Sequence, residues 1–277
     1  TFNLNEILKY FPEINPSQTK KFQDLYSIYK SWNSKINLIS RKDFENLYIH
    51  HVLHSISILK FIKFKKDTKV LDVGTGGGFP GVPLAILFPE VEFTLIDGIG
   101  KKIVAVDSII KDLKINNAEG LKIRAENLYE KYDFIVARAV TSLDKFYPLI
   151  QKNISSNSFN DKDNGLIYLK GGDLKDELRK IKHYQEVLIS DHFSEPFFED
   201  KKIIIISGGF KELIEPIVNN YGILGSNVYA NEFIYSTSNK ITGIDQENIM
   251  SSNQGKVKQA NLLNLRGEVH AIGDGYT

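Results

Sequence analysis

Residues 74–81 read Gly-Thr-Gly-Gly-Gly-Phe-Pro-Gly, five glycines in eight positions, directly after the run Val70-Leu71-Asp72-Val73. Glycine lets a backbone take positive φ and lets a ligand come close to the main chain. At the end of a first strand, such a loop lies where open α/β sheets bind nucleotides. A tight turn without a ligand explains so many glycines poorly. Gly76, Gly78 and Gly81 fit G-x-G-x-x-G, and Asp97 lies near the distance expected of a ribose-binding acid. That carboxylate ends the run Phe93-Thr94-Leu95-Ile96-Asp97, where it can accept both hydroxyls of an adenosine ribose. Two chemistries share this pattern: hydride transfer with a nicotinamide dinucleotide, and methyl transfer from S-adenosylmethionine. Pro80 shifts the balance to the second. It removes a backbone donor from the turn, and a sulfonium cofactor has no pyrophosphate to cradle. No nucleophile–base pair stands near the loop, and the lack of cysteine excludes thiol chemistry and zinc–thiolate sites.

From Lys69 onward, short β-rich runs alternate with helical stretches, which predicts a parallel sheet covered on both faces. Strands are expected at Lys69–Val73, Glu92–Asp97, Leu121–Ile123, Phe134–Val136 and Leu166–Leu169, with helices at Gly81–Phe88 and Lys101–Leu113. Asn153–Asn164 is polar and reads as a loop, and Lys201–Ile206 as a closing strand. Residues 3–64 read as helices. Pro16-Ser17 opens one whose apolar positions Phe22, Leu25, Tyr26, Tyr29 and Trp32 recur at helical spacing, and Leu47–Phe64 repeats the pattern. The whole chain of 277 residues carries a formal charge of +1, yet residues 1–66 hold eleven Lys/Arg against five Asp/Glu, with His50, His51 and His54 in addition. The aromatics there read as helix core. The charge excess fits a solvated face and a phosphate-binding surface equally well.

In order along the chain come Trp32-Asn33 with Asn37-Leu38, His51-Val52-Leu53-His54-Ser55, and Asp72–Gly81. Leu95-Ile96-Asp97 with Gly100-Lys101-Lys102, Arg124-Ala125-Glu126 and Ala137-Arg138-Ala139 follow. Together they resemble the glucose-inhibited division protein B family over about residues 1–205, with His54 in place of that motif's usual aspartate. The family comprises guanine-N7 methyltransferases of bacterial small-subunit (16S) ribosomal RNA. The resemblance implies an α/β fold, a Rossmann-like class I methyltransferase sheet with an N-terminal helical extension. It implies S-adenosylmethionine as cofactor and 16S ribosomal RNA or the small ribosomal subunit as partner. Carried over by position, it implies cofactor contacts at Gly74, Phe79, Ala125, Glu126 and Arg138, beside Asp97. Phe79 would pack on the cofactor, and the backbone of Ala125-Glu126 would read the adenine edge. Arg138 would face the methionine carboxylate or an RNA phosphate, since its planar fork suits either. Lys101, Lys102 and Lys170 are candidates for RNA phosphates or plain solvated lysines. Guanine N7 offers a lone pair at neutral pH, so the implied chemistry asks for positioning and singles out no catalytic residue and no metal.

The expected organisation is a basic helical part (1–66), a cofactor-binding core (67–206) and a segment of different character (207–277). Within that last segment, Ser207-Gly208-Gly209-Phe210, Gly255-Lys256 and Gly273-Asp274-Gly275 resemble the second half of a haloacid-dehalogenase-superfamily phosphoserine phosphatase. Such enzymes need an Asp-x-Asp nucleophile pair, and Asp161-Lys162-Asp163 lies in a polar loop. An incomplete, inactive α/β fragment is expected, with strand-like runs at Val228–Tyr235 and Ile241–Ile244. No run approaches the roughly 18 apolar residues of a membrane helix, and no signal-peptide pattern is found. A cytoplasmic monomer is expected. A phosphoserine phosphatase, a nicotinamide enzyme and a non-catalytic RNA-binding module are the competing readings.

Overall fold

The computed structural model describes residues 4–156, 158–179, 181, 184–207, 233–235 and 241–244. Cα packing divides the chain into two compact units, Thr1–Ile206 and Ser207–Thr277.

The first unit is built on a seven-stranded sheet. Its strands are β1 (Lys69–Val73), β2 (Glu92–Asp97), β3 (Ala118–Lys122), β4 (Phe134–Arg138), β5 (Gly165–Gly171), β6 (Gln185–Leu188) and β7 (Lys201–Ser207). They lie in the order β3-β2-β1-β4-β5-β7-β6. β1 pairs in parallel with β2 on one side and β4 on the other, β2 with β3, and β4 with β5. β6 and β7 pair antiparallel. The chain leaves β1 toward β2 and later returns to β4 across β1, so the crevice at the C-terminal ends of these strands is a topological switch point.

Successive side chains of the central strands enter opposite faces, and both faces are apolar. Val70, Phe93, Leu95, Phe134, Val136, Ile167 and Leu169 join one buried cluster. Leu71, Ile96, Ile135, Ala137, Leu166 and Tyr168 join the other. The first cluster is covered by α1 (Leu4–Tyr10), α2 (Pro16–Asn33), α4 (Gly81–Leu87) and α5 (Gly100–Asp112), together with the segment 44–60. That segment is a π-helix, Leu47–Leu53, continuing into α3 (His54–Ile56) and a 3-10 turn, Ser57–Lys60. The second cluster is covered by α6 (Leu143–Ile150) and α7 (Lys175–Leu178).

α2 starts where the sequence places it. Asn15 and Gln18 form a capping box with Pro16 in the first turn, which satisfies amides that a helix start leaves orphaned. The Gln18 side-chain amide then donates to the carbonyls of Ile86 and Leu87 at the end of α4. One residue thus closes two helix ends and docks α2 on the sheet.

Two strands differ from expectation for a shared reason. β3 begins three residues earlier than Leu121, and β6 has no counterpart in the expected strands. Their sequences, Ala-Glu-Gly-Leu-Lys and Gln-Glu-Val-Leu, are polar because both are edge strands. Backbone pairing with β2 and β7 makes them, not an apolar pattern.

In the second unit, β8 (Phe233–Tyr235) pairs antiparallel with β9 (Ile241–Ile244). The phosphatase-like residues Gly208, Gly209, Phe210, Gly255, Lys256, Gly273, Asp274 and Gly275 lie outside the described residues.

Candidate cofactor site

The glycine loop leaves β1 and folds back on itself through Asp72. This side chain is fully buried, and its Oδ2 accepts the Thr75 hydroxyl at 2.6 Å and the Gly81 amide at 2.8 Å. It therefore ties the start of the loop to the start of α4. A Cβ on Gly81 would lie 2.7 Å from that same oxygen and 2.7 Å from Leu95, so no larger residue fits there. Burial pushes the Asp72 carboxyl up to about 6, while the Thr75 and Gly81 bonds and the nearby Arg138 pull it down.

The loop amides are almost all engaged within the protein. Gly74 and Thr75 donate to Ile96 O, Gly76 to Asp97 Oδ2, and Gly78 and Phe79 to Thr75 O. Pro80 has no amide to give. A pyrophosphate, which needs several converging backbone donors, finds few here, and this weighs against the dinucleotide reading.

A cavity of about 280 Å³ opens in front of the loop at the C-terminal strand ends. Gly74, Asp97, Ala125 and Glu126 line it, so four of the six expected cofactor residues come together. Asp97 sits at the end of β2, and its two oxygens accept the Gly76 and Ile99 amides. A carboxylate has about four lone-pair sites, so it retains acceptor capacity toward the cavity. Gly74 has φ of +69°, and a Cβ there would press on Val140 at 2.8 Å. Val140, Thr141 and Phe146 form the opposite wall.

Phe79 and Arg138 are not among the cavity walls. Phe79 is buried behind the loop, 5.1 Å from the Tyr29 ring and 5.4 Å from that of His51. The Arg138 guanidinium lies over its face at 5.1 Å, a cation–π arrangement. Arg138 also donates to His50 O at 3.0 Å and to His51 Nδ1 at 2.9 Å. Burial lowers its pKa to about 10, which leaves it charged at neutral pH.

Because Arg138 can only donate, His51 Nδ1 must accept, and its proton sits on Nε2. That nitrogen meets Asp43 Oδ2 at 2.8 Å, while Asp43 Oδ1 takes His50 Nδ1 at 2.6 Å. Burial, with Arg138 alongside, holds the His51 pKa down to about 4 despite Asp43. His54 is buried one turn further on, with Nε2 unpaired among the described residues. Burial, Arg138 and Lys201 drive its pKa well below the usual imidazole value.

The N-terminal aromatics are core, as their spacing indicates, except that Trp32 is only half-buried. Tyr26, Tyr29, Phe44 and Tyr48 are buried. Tyr29 also donates to Gly77 O at 2.7 Å, and Asn33 holds the Leu38 and Ile39 amides, which seats Leu38 against Gly77. The sequence marks Tyr29 only as helix core and gives Asp43 no role, yet Tyr29 bonds the loop at Gly77 and Asp43 holds both His50 and His51. Lys170 ion-pairs with Glu177 at 2.8 Å, whereas Lys101 is exposed. Among the described residues no helix is long and apolar enough to cross a membrane, and no cluster could hold a metal ion.

With this geometry in place, comparison with known proteins is informative. Residues 18–204 match the family model GidB, described as rRNA small subunit methyltransferase G. The chain is 49% identical over 208 residues to ribosomal RNA small subunit methyltransferase G of Flavobacterium psychrophilum, covering 75% of this chain and 100% of that one. It is 50% identical over 199 residues to the protein of the same name from Bacteroides thetaiotaomicron, covering 72% and 97%. Among solved structures, an rRNA methylase from Streptococcus thermophilus aligns at 12% identity and a TM-score of 0.40, covering 58% of this chain and 99% of that one.

Proposed function

The chain belongs to the GidB family of small-subunit rRNA methyltransferases, and we propose on that premise that it methylates N7 of a guanine in 16S ribosomal RNA, using S-adenosylmethionine. We assign the activity to residues 1–206, with 67–206 as the cofactor core and 1–66 as its helical backing. The segment 207–277 lies beyond the family match and has no part in this reading. The enzyme works as a cytoplasmic monomer on the RNA or on the small subunit.

The observation that carries the reading is the cavity itself. It unites a close-approach glycine, a strand-end carboxylate and an apolar wall, and the amides around it are too fully used for a pyrophosphate. The residues fit the cofactor. Asp97 holds the ribose hydroxyls, Ala125 and Glu126 flank the adenine, and Gly74 gives room for the methionine part. Arg138, bonded to His50 and His51 and outside the cavity walls, orders the loop from behind. Phe79 acts from behind, as the buried anchor of the loop. S-adenosylmethionine supplies an electrophilic methyl group to the site. The titratable residues lining the cavity are Asp97, Arg124 and Glu126, and none is required as a base, because N7 has no proton to lose. The protein's contribution is orientation and exclusion of water, which can supply orders of magnitude in rate. An RNA base must be unstacked to enter such a cavity.

Incubating the full chain with 16S ribosomal RNA or small subunits and labelled S-adenosylmethionine, then digesting to nucleosides, tests this. Label is expected in 7-methylguanosine, and lost in Gly74→Asp. Label in another nucleoside, or none, overturns the proposal.

A further inference from the structure

We propose that Tyr168 is a positioning residue for the methyl-transfer site: its hydroxyl fixes the turn 138–141 as the cavity wall that faces Gly74. The inference rests on the methyltransferase reading and names a residue that acts on that site from behind its wall.

The turn needs holding. β4 ends at Arg138, and Ala139 follows with φ of +53°, a left-handed conformation that is costly for a residue with a Cβ and that persists only where the surroundings impose it. Val140 and Thr141 come next. Both of their amides donate to the Tyr168 hydroxyl at 3.0 Å, and the hydroxyl donates to Thr141 O at 2.8 Å. A phenol has one proton and two lone pairs, so the whole hydrogen-bonding capacity of this group is spent on one turn.

The anchor is rigid. Tyr168 is fully buried on β5, with its ring 5.0 Å from Phe146, itself a cavity residue. Two residues on, Lys170 donates to Thr141 O at 3.1 Å and ion-pairs with Glu177 at 2.8 Å. Glu177 in turn accepts the Leu143 amide at 2.8 Å. Residues 140–143 are therefore pinned from β5 and from α7 at once.

What is pinned faces the cavity. Val140 is 40% exposed, so burial in the core does not hold it, yet its methyl groups close directly against Gly74. The position of this turn sets the width of the cavity beside the glycine loop. A phenylalanine at 168 would fill the same space and release the turn.

The test uses the full chain and Tyr168→Phe, which keeps the ring packing. Binding of S-adenosylhomocysteine is measured by calorimetry, with KM for the methyl donor and kcat measured separately. The expected result is about tenfold weaker binding and a matching rise in KM with kcat retained, a split that loss of stability alone does not produce. Adding Ala139→Gly removes the cost of the left-handed residue and is expected to recover part of the loss. Wild-type binding and KM in a folded Tyr168→Phe protein overturn the proposal, as does a loss that Ala139→Gly leaves untouched. If Tyr168→Phe fails to fold, Glu177→Ala, which removes both the acceptor for the Leu143 amide and the partner of Lys170, probes the same turn from α7: weaker binding supports the proposal and unchanged binding overturns it. Failure of the wild-type chain to bind S-adenosylhomocysteine would sink the methyltransferase reading instead.

Discussion

The two sides of the glycine loop are built from different materials. Its front is a polar rim that faces the cavity: Gly74, the Asp97 carboxylate and the backbone at Ala125-Glu126. Its back is a buried assembly from a distant part of the chain, with Tyr29 on Gly77, His51 and Arg138 around Phe79, and Asp43 behind His51. The front can recognise a ligand because its groups keep unused capacity. The back holds the front in place because its groups are buried and bonded or packed to one another. The N-terminal helices thus brace the glycine loop of the candidate cofactor site.

If this division is right, substitutions behind the loop cost stability first and those in front cost binding first. The largest effect is expected for Phe79→Ala. It empties a buried position against Tyr29, His51 and Arg138 and should cost about 3–5 kcal/mol, read as a lower midpoint in denaturant unfolding. A Phe79→Ala protein of wild-type stability that no longer binds cofactor would reverse the assignment of Phe79 to the back. Next comes Asp97→Ala, with an expected loss of roughly ten- to a hundredfold in affinity for S-adenosylhomocysteine. Its unfolding midpoint should move much less than that of Phe79→Ala. Equal shifts in both proteins would erase the distinction.

Part of the front is suggested by residue type, the glycines and a strand-end acid about twenty residues on, whereas Ala125-Glu126 were expected there only through the family resemblance. The back is not suggested in this way, because its bonds join residues far apart in the chain. Tyr29 reaches Gly77 across 48 residues, and Arg138 reaches His51 across 87. Helical spacing marks Tyr29 as core without revealing that its hydroxyl is aimed at the loop. The fold divides along the same line. Strands with two apolar faces announce themselves, whereas at the sheet edges β3 was found only in part and β6, which exists through pairing with β7, not at all.

A smaller effect, because its parts oppose, is the response to acid. His51 titrates near 4 in the folded chain, and His54 well below its ordinary value, so the unfolded chain takes up more protons as pH falls below about 6.5. Stability contributed by these imidazoles is present above that pH and is lost toward 4. Asp72 runs the other way. Its raised pKa of about 6 means the folded chain gains a proton before the unfolded one, which adds stability between about 6 and 3.8. Two imidazoles against one carboxyl leave a net loss on acidification. Asp72→Asn keeps an acceptor for Thr75 and Gly81 but removes the opposing contribution. Unfolding midpoints at pH 7 and pH 5 should therefore separate further in the variant than in the wild type, and an unchanged separation would mean that the buried carboxyl does not titrate in this range.

The smallest expected effect is the sharpest probe of the division. Tyr29→Phe leaves the ring on Phe79 and takes away only the hydroxyl bond to Gly77 O. A buried carbonyl then lacks this partner, at a cost of about 1 kcal/mol. If the back of the loop acts solely as a support, that cost appears in the unfolding midpoint and the cofactor affinity of the folded protein is unchanged. A fall in affinity with no change in midpoint would show that Gly77 shifts forward when released, and that the two sides of the loop are mechanically one.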